Sequence, residues 1–145
     1  MAKAHSLSTQ DFLNYLFQSG LVESDAISHL LDQLRVELGG ELPDSAGVLA
    51  DRFVEAGLIT RWHADKLLDR KYKGFRLGKY KLLKLLGSGG VSSVYLAEHV
   101  LMKQLRAIKV FPKSWVNRTS YLARFHSEAQ ATTAFDHFRH AFIHS

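Results

Sequence analysis

A run of glycines, Gly87-Ser88-Gly89-Gly90, is the part of this sequence best suited to phosphate chemistry. Glycine has no side chain to hold a backbone N–H group away from an oxyanion, so such a turn can cradle phosphate oxygens. The same run would also suit an ordinary tight hairpin, because glycine adopts the backbone angles that sharp turns need. The elements on either side of the run therefore decide its interpretation.

The glycine run lies between two stretches that are typical of strands. Residues 80–86 form a short apolar run, and residues 92–98 follow the glycines. A third strand is predicted over residues 105–111. From about residue 118 to residue 135 the apolar residues recur at a longer period, which predicts a helix. A sheet with one helix is therefore expected in this half of the chain.

Two common phosphate-binding loops do not fit this setting. A dinucleotide-binding fold places its glycines between a strand and a helix, whereas these lie between two strands. A Walker-type loop ends in Gly-Lys followed by Ser or Thr, and this one continues as Gly90-Val91-Ser92.

Three motifs in this half resemble the small lobe of bacterial eukaryotic-like serine/threonine protein kinases. Residues 86–94 resemble the loop that covers the nucleotide, and Ala107-Ile108-Lys109-Val110 resembles the third-strand lysine motif. The segment around Glu128 resembles the helix that supplies a partner glutamate. Glu128 follows Lys109 by nineteen residues, which is the usual spacing in that family. The resemblance covers about residues 78–137.

The resemblance implies ATP as the cofactor and a role for each motif residue, with Mg²⁺ expected for the family. Lys109 would contact the α- and β-phosphates, and Glu128 would hold its ammonium group in an ion pair. Leu86, Val94 and Ala107 would form an apolar roof over adenine. The other implied nucleotide-binding residues belong to the glycine loop: Gly87, Ser88, Gly89, Gly90, Val91 and Ser92.

The sequence departs from the family in two places. Ser92 replaces the third glycine of the loop, which predicts weaker nucleotide binding. The 145 residues contain neither a His-Arg-Asp catalytic loop nor an Asp-Phe-Gly metal-ligand motif. Phosphoryl transfer needs the base and the Mg²⁺ ligands of those motifs, so we expect this chain to be inactive alone. Residues 138–145 depart from the family pattern, which suggests a truncated or frameshifted product.

The departure after residue 137 leads to two further expectations. Without the strands that the family adds beyond Asp136, a strand edge and apolar surface would be uncovered, which favours self-association or a protein partner. His137, His140 and His144 have the spacing of one helix face, but no carboxylate accompanies them. We therefore expect no metal site.

The first seventy residues have the pattern of two helical hairpins. Apolar residues recur at helical spacing, and Ser8, Ser24 and Thr60 are placed to cap helices. Residues 16–22 align with residues 53–59 at an offset of 37, a period typical of helix-pair repeats. The sequence predicts a four-helix module that acts either as a docking or dimerisation module or as a spacer.

Charge and composition divide the chain near the same place. Residues 1–70 contain six Lys and Arg against eleven Asp and Glu, whereas residues 71–145 contain thirteen against three. The basic half suits a polyanion, but it has no recognisable nucleic-acid reader motif, so no nucleic-acid partner is expected. With no apolar run of membrane-spanning length and no cysteine, we expect no membrane segment and a cytoplasmic location.

The predicted fold class is α+β, a two-hairpin helical module followed by a partial kinase small lobe. We expect the module over residues 1–70, a linker over 71–79, the lobe over 80–137 and a non-family tail over 138–145. The leading interpretation is an ATP-binding N-terminal fragment of a serine/threonine protein kinase. The alternative is a non-catalytic docking protein built from the same two units.

Overall fold

The computed structural model describes residues 7–111 and 140–144. The chain divides into two compact units, one that ends at Phe75 and one that begins at Arg76. The first is helical and the second is an antiparallel sheet, so the predicted α+β class is confirmed. Within the described ranges, no helix has the length and apolar character needed to cross a membrane.

From residue 7 onward, the first unit contains four helices: α1 (Thr9–Ser19), α2 (Ser24–Glu37), α3 (Ala46–Glu55) and α4 (Arg61–Leu68). Two of the predicted caps are confirmed. The Ser8 hydroxyl accepts a hydrogen bond from the backbone N–H of Asp11, and the Thr60 hydroxyl accepts one from that of His63. Each of these bonds satisfies an N–H group that has no partner inside its helix.

The start of α2 corrects the third predicted cap. Ser24 is the first residue of the helix, and Glu23 occupies the cap position with an extended backbone. Glu23 makes no side-chain cap hydrogen bond. Asp25 in the first turn instead places a negative charge near the positive end of the helix dipole.

The 37-residue repeat is visible in the positions of the helices. Helix α3 begins 37 residues after the start of α1, and α4 begins 37 residues after the start of α2. Ser8 and Ser45 occupy equivalent cap positions and also pair with each other in an isolated antiparallel bridge. Leu16 and Phe53, which the offset equates, are both fully buried.

The helical unit encloses a core to which all four helices contribute. The rings of Phe12 and Phe53 lie 6.1 Å apart in that core. Full burial of one such side chain contributes about 1.5–3 kcal/mol, so this core is the main source of the unit's stability. The largest buried apolar side chains are Phe12, Leu16, Ile27, Leu34, Leu49, Phe53 and Leu67.

A buried histidine completes the cap of α4. The backbone N–H of Thr60 donates to Nδ1 of His63 at 3.0 Å, while the backbone N–H of His63 donates to the Thr60 hydroxyl at 3.1 Å. The imidazole also packs edge-on against Phe75, with 5.2 Å between the ring centroids. This reciprocal pair is a capping box in which histidine takes the place of the usual glutamate or glutamine.

A surface ion pair joins the end of α2 to α3. Two guanidinium nitrogens of Arg52 donate to the two carboxylate oxygens of Glu37, each at 3.0 Å. The hydrogen bond from Arg52 lowers the pKa of Glu37, and its Coulomb attraction adds to the effect. Because both groups are solvated, the pair contributes little to stability.

The residues of the second unit that the structure describes form a five-stranded antiparallel sheet, whose strands follow one another in sequence order. The strands are β1 (Arg76–Leu77), β2 (Tyr80–Gly89), β3 (Ser92–His99), β4 (Leu105–Phe111) and β5 (His140–His144). The three strands predicted from the sequence correspond to β2, β3 and β4. The helix predicted over residues 118–135 lies outside the described residues.

β5 corrects the expectation of an uncovered edge beside β4. Residues 140–144 pair with β4 from Phe111 opposite His140 to Ala107 opposite His144. Because residues 140–144 are extended, His140 and His144 do not lie on a helix face. A free strand edge presents unpaired N–H and C=O groups, and an extended segment can satisfy them whatever its side-chain pattern.

Candidate functional site

The glycine run forms the tight end of the hairpin between β2 and β3. Gly89 pairs with Ser92, which leaves Gly90 and Val91 as the two turn residues. Gly90 has a φ of 56°, in the region that favours glycine. The loop residues from Gly87 to Val91 are exposed, and Ser92 is half-buried. The backbone of this turn is therefore accessible to a ligand.

The strand register places three of the predicted site residues in one row across the sheet. Gly87 pairs with Val94, and Val94 pairs with Lys109. Paired residues point to the same side of a sheet, so Val94 and Lys109 share a face, and a ligand beside Gly87 would meet no side chain from that position. Ala107 lies two residues before Lys109 and therefore shares this face as well. We call it the open face, because Val94, Ala107 and Lys109 are all partly exposed.

Leu86 lies at a β-bulge in β2, next to Gly87. The register shifts between Leu85 and Gly87, so Leu86 is the extra residue of a bulge, and half of it is exposed. A bulge changes the alternation of side chains along a strand. It places Lys84, which pairs with Leu96, on the same face as Gly87.

Sequence reasoning missed Lys84 and Leu96 as residues of this face. Leu96 could have been found, because it lies two residues after Val94 in a regular strand. Lys84 could not, since a strand without the bulge would place Lys84 and Gly87 on opposite faces.

The opposite side of the sheet forms the buried face. Ala97 and Ile108 are fully buried there, and Val110 is 5% exposed. Leu82 pairs with Ala97 and is equally enclosed. This apolar layer holds the backbone of β2, β3 and β4 in place, and with it the row that contains Lys109.

Basic side chains give the open face a positive charge. Lys81 pairs with Glu98 beyond Lys84 and is half-buried. Burial is the main cause that lowers the pKa of the Lys81 ammonium group. Glu98 acts against this shift, while the positive charges of Lys103 and Arg76 add to it. A ligand with an apolar group and several negative charges would match this combination of Val94, Leu96, Ala107 and lysines.

The predicted ion pair between Lys109 and Glu128 is not tested by the structure. Lys109 is described and half-buried, but Glu128 lies outside the described residues. The Lys109–Glu128 ion pair therefore stays a prediction. Among the described residues, no three His, Asp or Glu side chains form a cluster that could hold a metal ion.

Comparison with known proteins identifies relatives for part of the chain. No protein-family model matches it. It is 37% identical over 60 residues to the serine/threonine-protein kinase PrkC of Bacillus subtilis, a match that covers 41% of this chain and 9% of PrkC. It is 38% identical over 64 residues to the serine/threonine-protein kinase Pkn1 of Myxococcus xanthus, covering 44% of this chain and 9% of Pkn1.

A third relative supports the same class. The chain is 39% identical over 57 residues to the kinase PknA of Corynebacterium glutamicum, covering 39% of this chain and 12% of PknA. The chain thus spans about a tenth of the length of the curated relatives it matches. These partial matches confirm, over part of the chain, the predicted resemblance to bacterial serine/threonine protein kinases.

Proposed function

We propose that the sheet unit binds ATP as part of the small lobe of a serine/threonine protein kinase. The observation that carries this proposal is the row from Gly87 through Val94 to Lys109. It joins an exposed glycine turn, an apolar surface and an ammonium group on one side of the sheet. The partial matches to kinases support the same nucleotide class.

Each part of the row has a separate task in this proposal. Val94, Ala107 and Leu86 contact the adenine ring. The backbone N–H groups of the glycine turn and the Lys109 ammonium group bind phosphate oxygens, which carry several negative charges. The additional lysines of the open face attract the polyphosphate before it docks.

We further propose that residues 1–145 bind nucleotide weakly and do not transfer phosphate. These residues contain neither the His-Arg-Asp nor the Asp-Phe-Gly sequence. Without an acidic Mg²⁺ ligand and a base for the acceptor hydroxyl, the γ-phosphoryl group is neither neutralised nor aligned with an acceptor.

The first experiment is a calorimetric titration of the full chain with ATP, with and without Mg²⁺. Lys109→Ala should weaken binding by about tenfold or more, because it removes a charge-assisted contact. The matched control is Arg106→Ala, which removes a cation from the same strand but from the other face. Equal losses in both variants would contradict the proposed site and leave only general charge attraction.

A second experiment tests the glycine turn by filling it. A Cβ atom at Gly87 would meet no heavy atom within 4 Å, so Gly87→Val should fold. Its side chain would nevertheless project over the row from Gly87 to Lys109 and block the ligand. Ser88→Val places the same valine side chain on the opposite face and keeps the backbone N–H group of residue 88, because Ser88 pairs with Ser93. We expect Gly87→Val to abolish ATP binding and Ser88→Val to retain it.

A third experiment tests inactivity. Incubation with radiolabelled ATP and a generic protein acceptor should give no labelled product. Turnover that Lys109→Ala abolishes would contradict this part of the proposal. If the wild-type chain itself binds no ATP, the result favours the alternative of a docking protein.

A further inference from the structure

Lys109 has an aromatic neighbour on its own strand. Its Nζ atom lies 5.7 Å from the centroid of the Phe111 ring. The two residues are two positions apart in β4, so both side chains project from the same side of the sheet. Phe111 is 7% exposed, whereas Lys109 is partly exposed. A fixed ring therefore lies beside a flexible cation.

This geometry is that of a cation–π contact. The face of an aromatic ring carries negative potential and attracts an ammonium group within about 6 Å of its centroid. A lysine side chain is long and flexible, and a ligand that binds it must normally restrict this freedom. The contact with Phe111 restricts part of it before any ligand arrives.

We propose that Phe111 is a positioning residue that holds the Lys109 ammonium group on the open face in readiness for phosphate. This inference rests on the proposed function, in which Lys109 binds the phosphates of ATP. Phe111 itself does not touch the nucleotide. Its ring reduces the conformational freedom that Lys109 loses on binding, and so raises affinity.

The first test detects the contact without nucleotide. Protons held over an aromatic face experience its ring current, so the ε-methylene resonance of Lys109 should lie upfield in the wild-type spectrum. Phe111→Leu should return this resonance to the position of an ordinary lysine, whereas Phe111→Tyr should keep it upfield. An unchanged resonance in Phe111→Leu would overturn the contact.

The second test separates ring electrostatics from packing. Successive fluorination of the phenylalanine at position 111 weakens the negative face of the ring and nearly preserves its shape. ATP affinity should fall stepwise, by about two- to fivefold at full fluorination, because the nucleotide must then order the Lys109 side chain itself. Melting temperatures should stay close to the wild-type value, and Phe111→Tyr should retain affinity.

These tests distinguish failure of the inference from failure of the proposed function. If the wild-type chain binds ATP and affinity is flat across the fluorinated series, the positioning role is wrong and the nucleotide site stands. If the wild-type chain binds no ATP, the proposed function fails, and with it the role of Phe111 in nucleotide affinity.

Discussion

The helical unit and the sheet unit differ in how their buried and exposed side chains are distributed. In the helical unit, residues from all four helices close around one core, and the buried His63 is paired with the backbone of its own cap. In the sheet unit, Ile108 and Val110 are buried on one face while Lys109 between them belongs to the other. The side chains of the helical unit thus mainly stabilise it. In the sheet, the alternation along each strand separates a buried apolar layer from the side chains to which we assign ligand binding.

The two units also differ in how they treat buried polarity. His63 is almost fully buried and makes a hydrogen bond at 3.0 Å. Lys81 is half-buried in the sheet, and its burial lowers the pKa of the ammonium group. The hydrogen bond to Nδ1 offsets part of the cost of burying the His63 imidazole, whereas Lys81 disfavours folding in its charged form.

The largest expected effect tests the core of the helical unit. Phe53→Ala should destabilise the unit by about 3–5 kcal/mol, because it leaves a cavity beside Phe12. Urea unfolding followed by the fluorescence of Trp62, in a Trp115→Phe background, measures the change. Val48→Ala is the control, since Val48 is half exposed and its truncation should cost less than about 0.5 kcal/mol. If Phe53→Ala lowered the free energy of unfolding by less than about 1 kcal/mol, Phe53 would not be packed in a solvent-excluded core.

The second prediction tests the two faces of the sheet on one strand. Ile108→Ala should lower the stability of the sheet unit by about 2–5 kcal/mol, because Ile108 is fully buried. The neighbouring Lys109→Ala should cost no more than about 1 kcal/mol, because it removes only a partly exposed side chain and its contact with the Phe111 ring. Circular dichroism during thermal unfolding compares the two variants. Similar costs would mean that β4 does not divide stability and ligand binding between its faces.

The third prediction concerns the cap of α4. Thr60→Ala removes the hydroxyl that accepts the His63 N–H and should cost about 0.5–2 kcal/mol of helical stability. Thr60→Ser keeps an acceptor and should restore most of this loss. If the serine variant is as unstable as the alanine variant, the methyl group and not the hydrogen bond stabilises the cap.

The smallest expected effect is a difference in pH dependence at Lys81. Burial lowers the pKa of Lys81 below the ordinary lysine value of 10.5, so the folded chain releases this proton before the unfolded chain does. Stability should therefore rise as the pH increases from the folded pKa towards 10.5. Lys81→Met should be slightly more stable at neutral pH and should lack this rise. Urea titrations of both proteins at several alkaline pH values measure the difference, and parallel curves would refute the assignment.

Much of the fold follows from local signals in the sequence. The caps at Ser8 and Thr60, the repeat at an offset of 37 residues and the strands on either side of the glycine run all depend on residues close together in the chain. Lys109, Val94 and Ala107 were assigned by their motifs, and strand alternation explains why β3 and β4 place them on one face.

The features that the sequence did not predict depend on backbone pairing. The bulge at Leu86 moves Lys84 to the open face, yet no residue type in that apolar run indicates a change of register. The pairing of β5 with β4 likewise relies on N–H and C=O groups that every residue carries. His63 in the capping box was missed because glutamate or glutamine usually occupies that position.

The separation of β5 from its partner has a consequence for amide exchange. β5 is separated from β4 by 28 intervening residues, so closing this pair costs more chain entropy than closing the hairpins that join β2, β3 and β4. The pair should therefore form late in folding and open first in the native state. Successive N–H groups of β4 point alternately to β3 and to β5. Deuterium uptake along β4 should consequently alternate from residue to residue. The amides that exchange faster should be those that donate hydrogen bonds to β5.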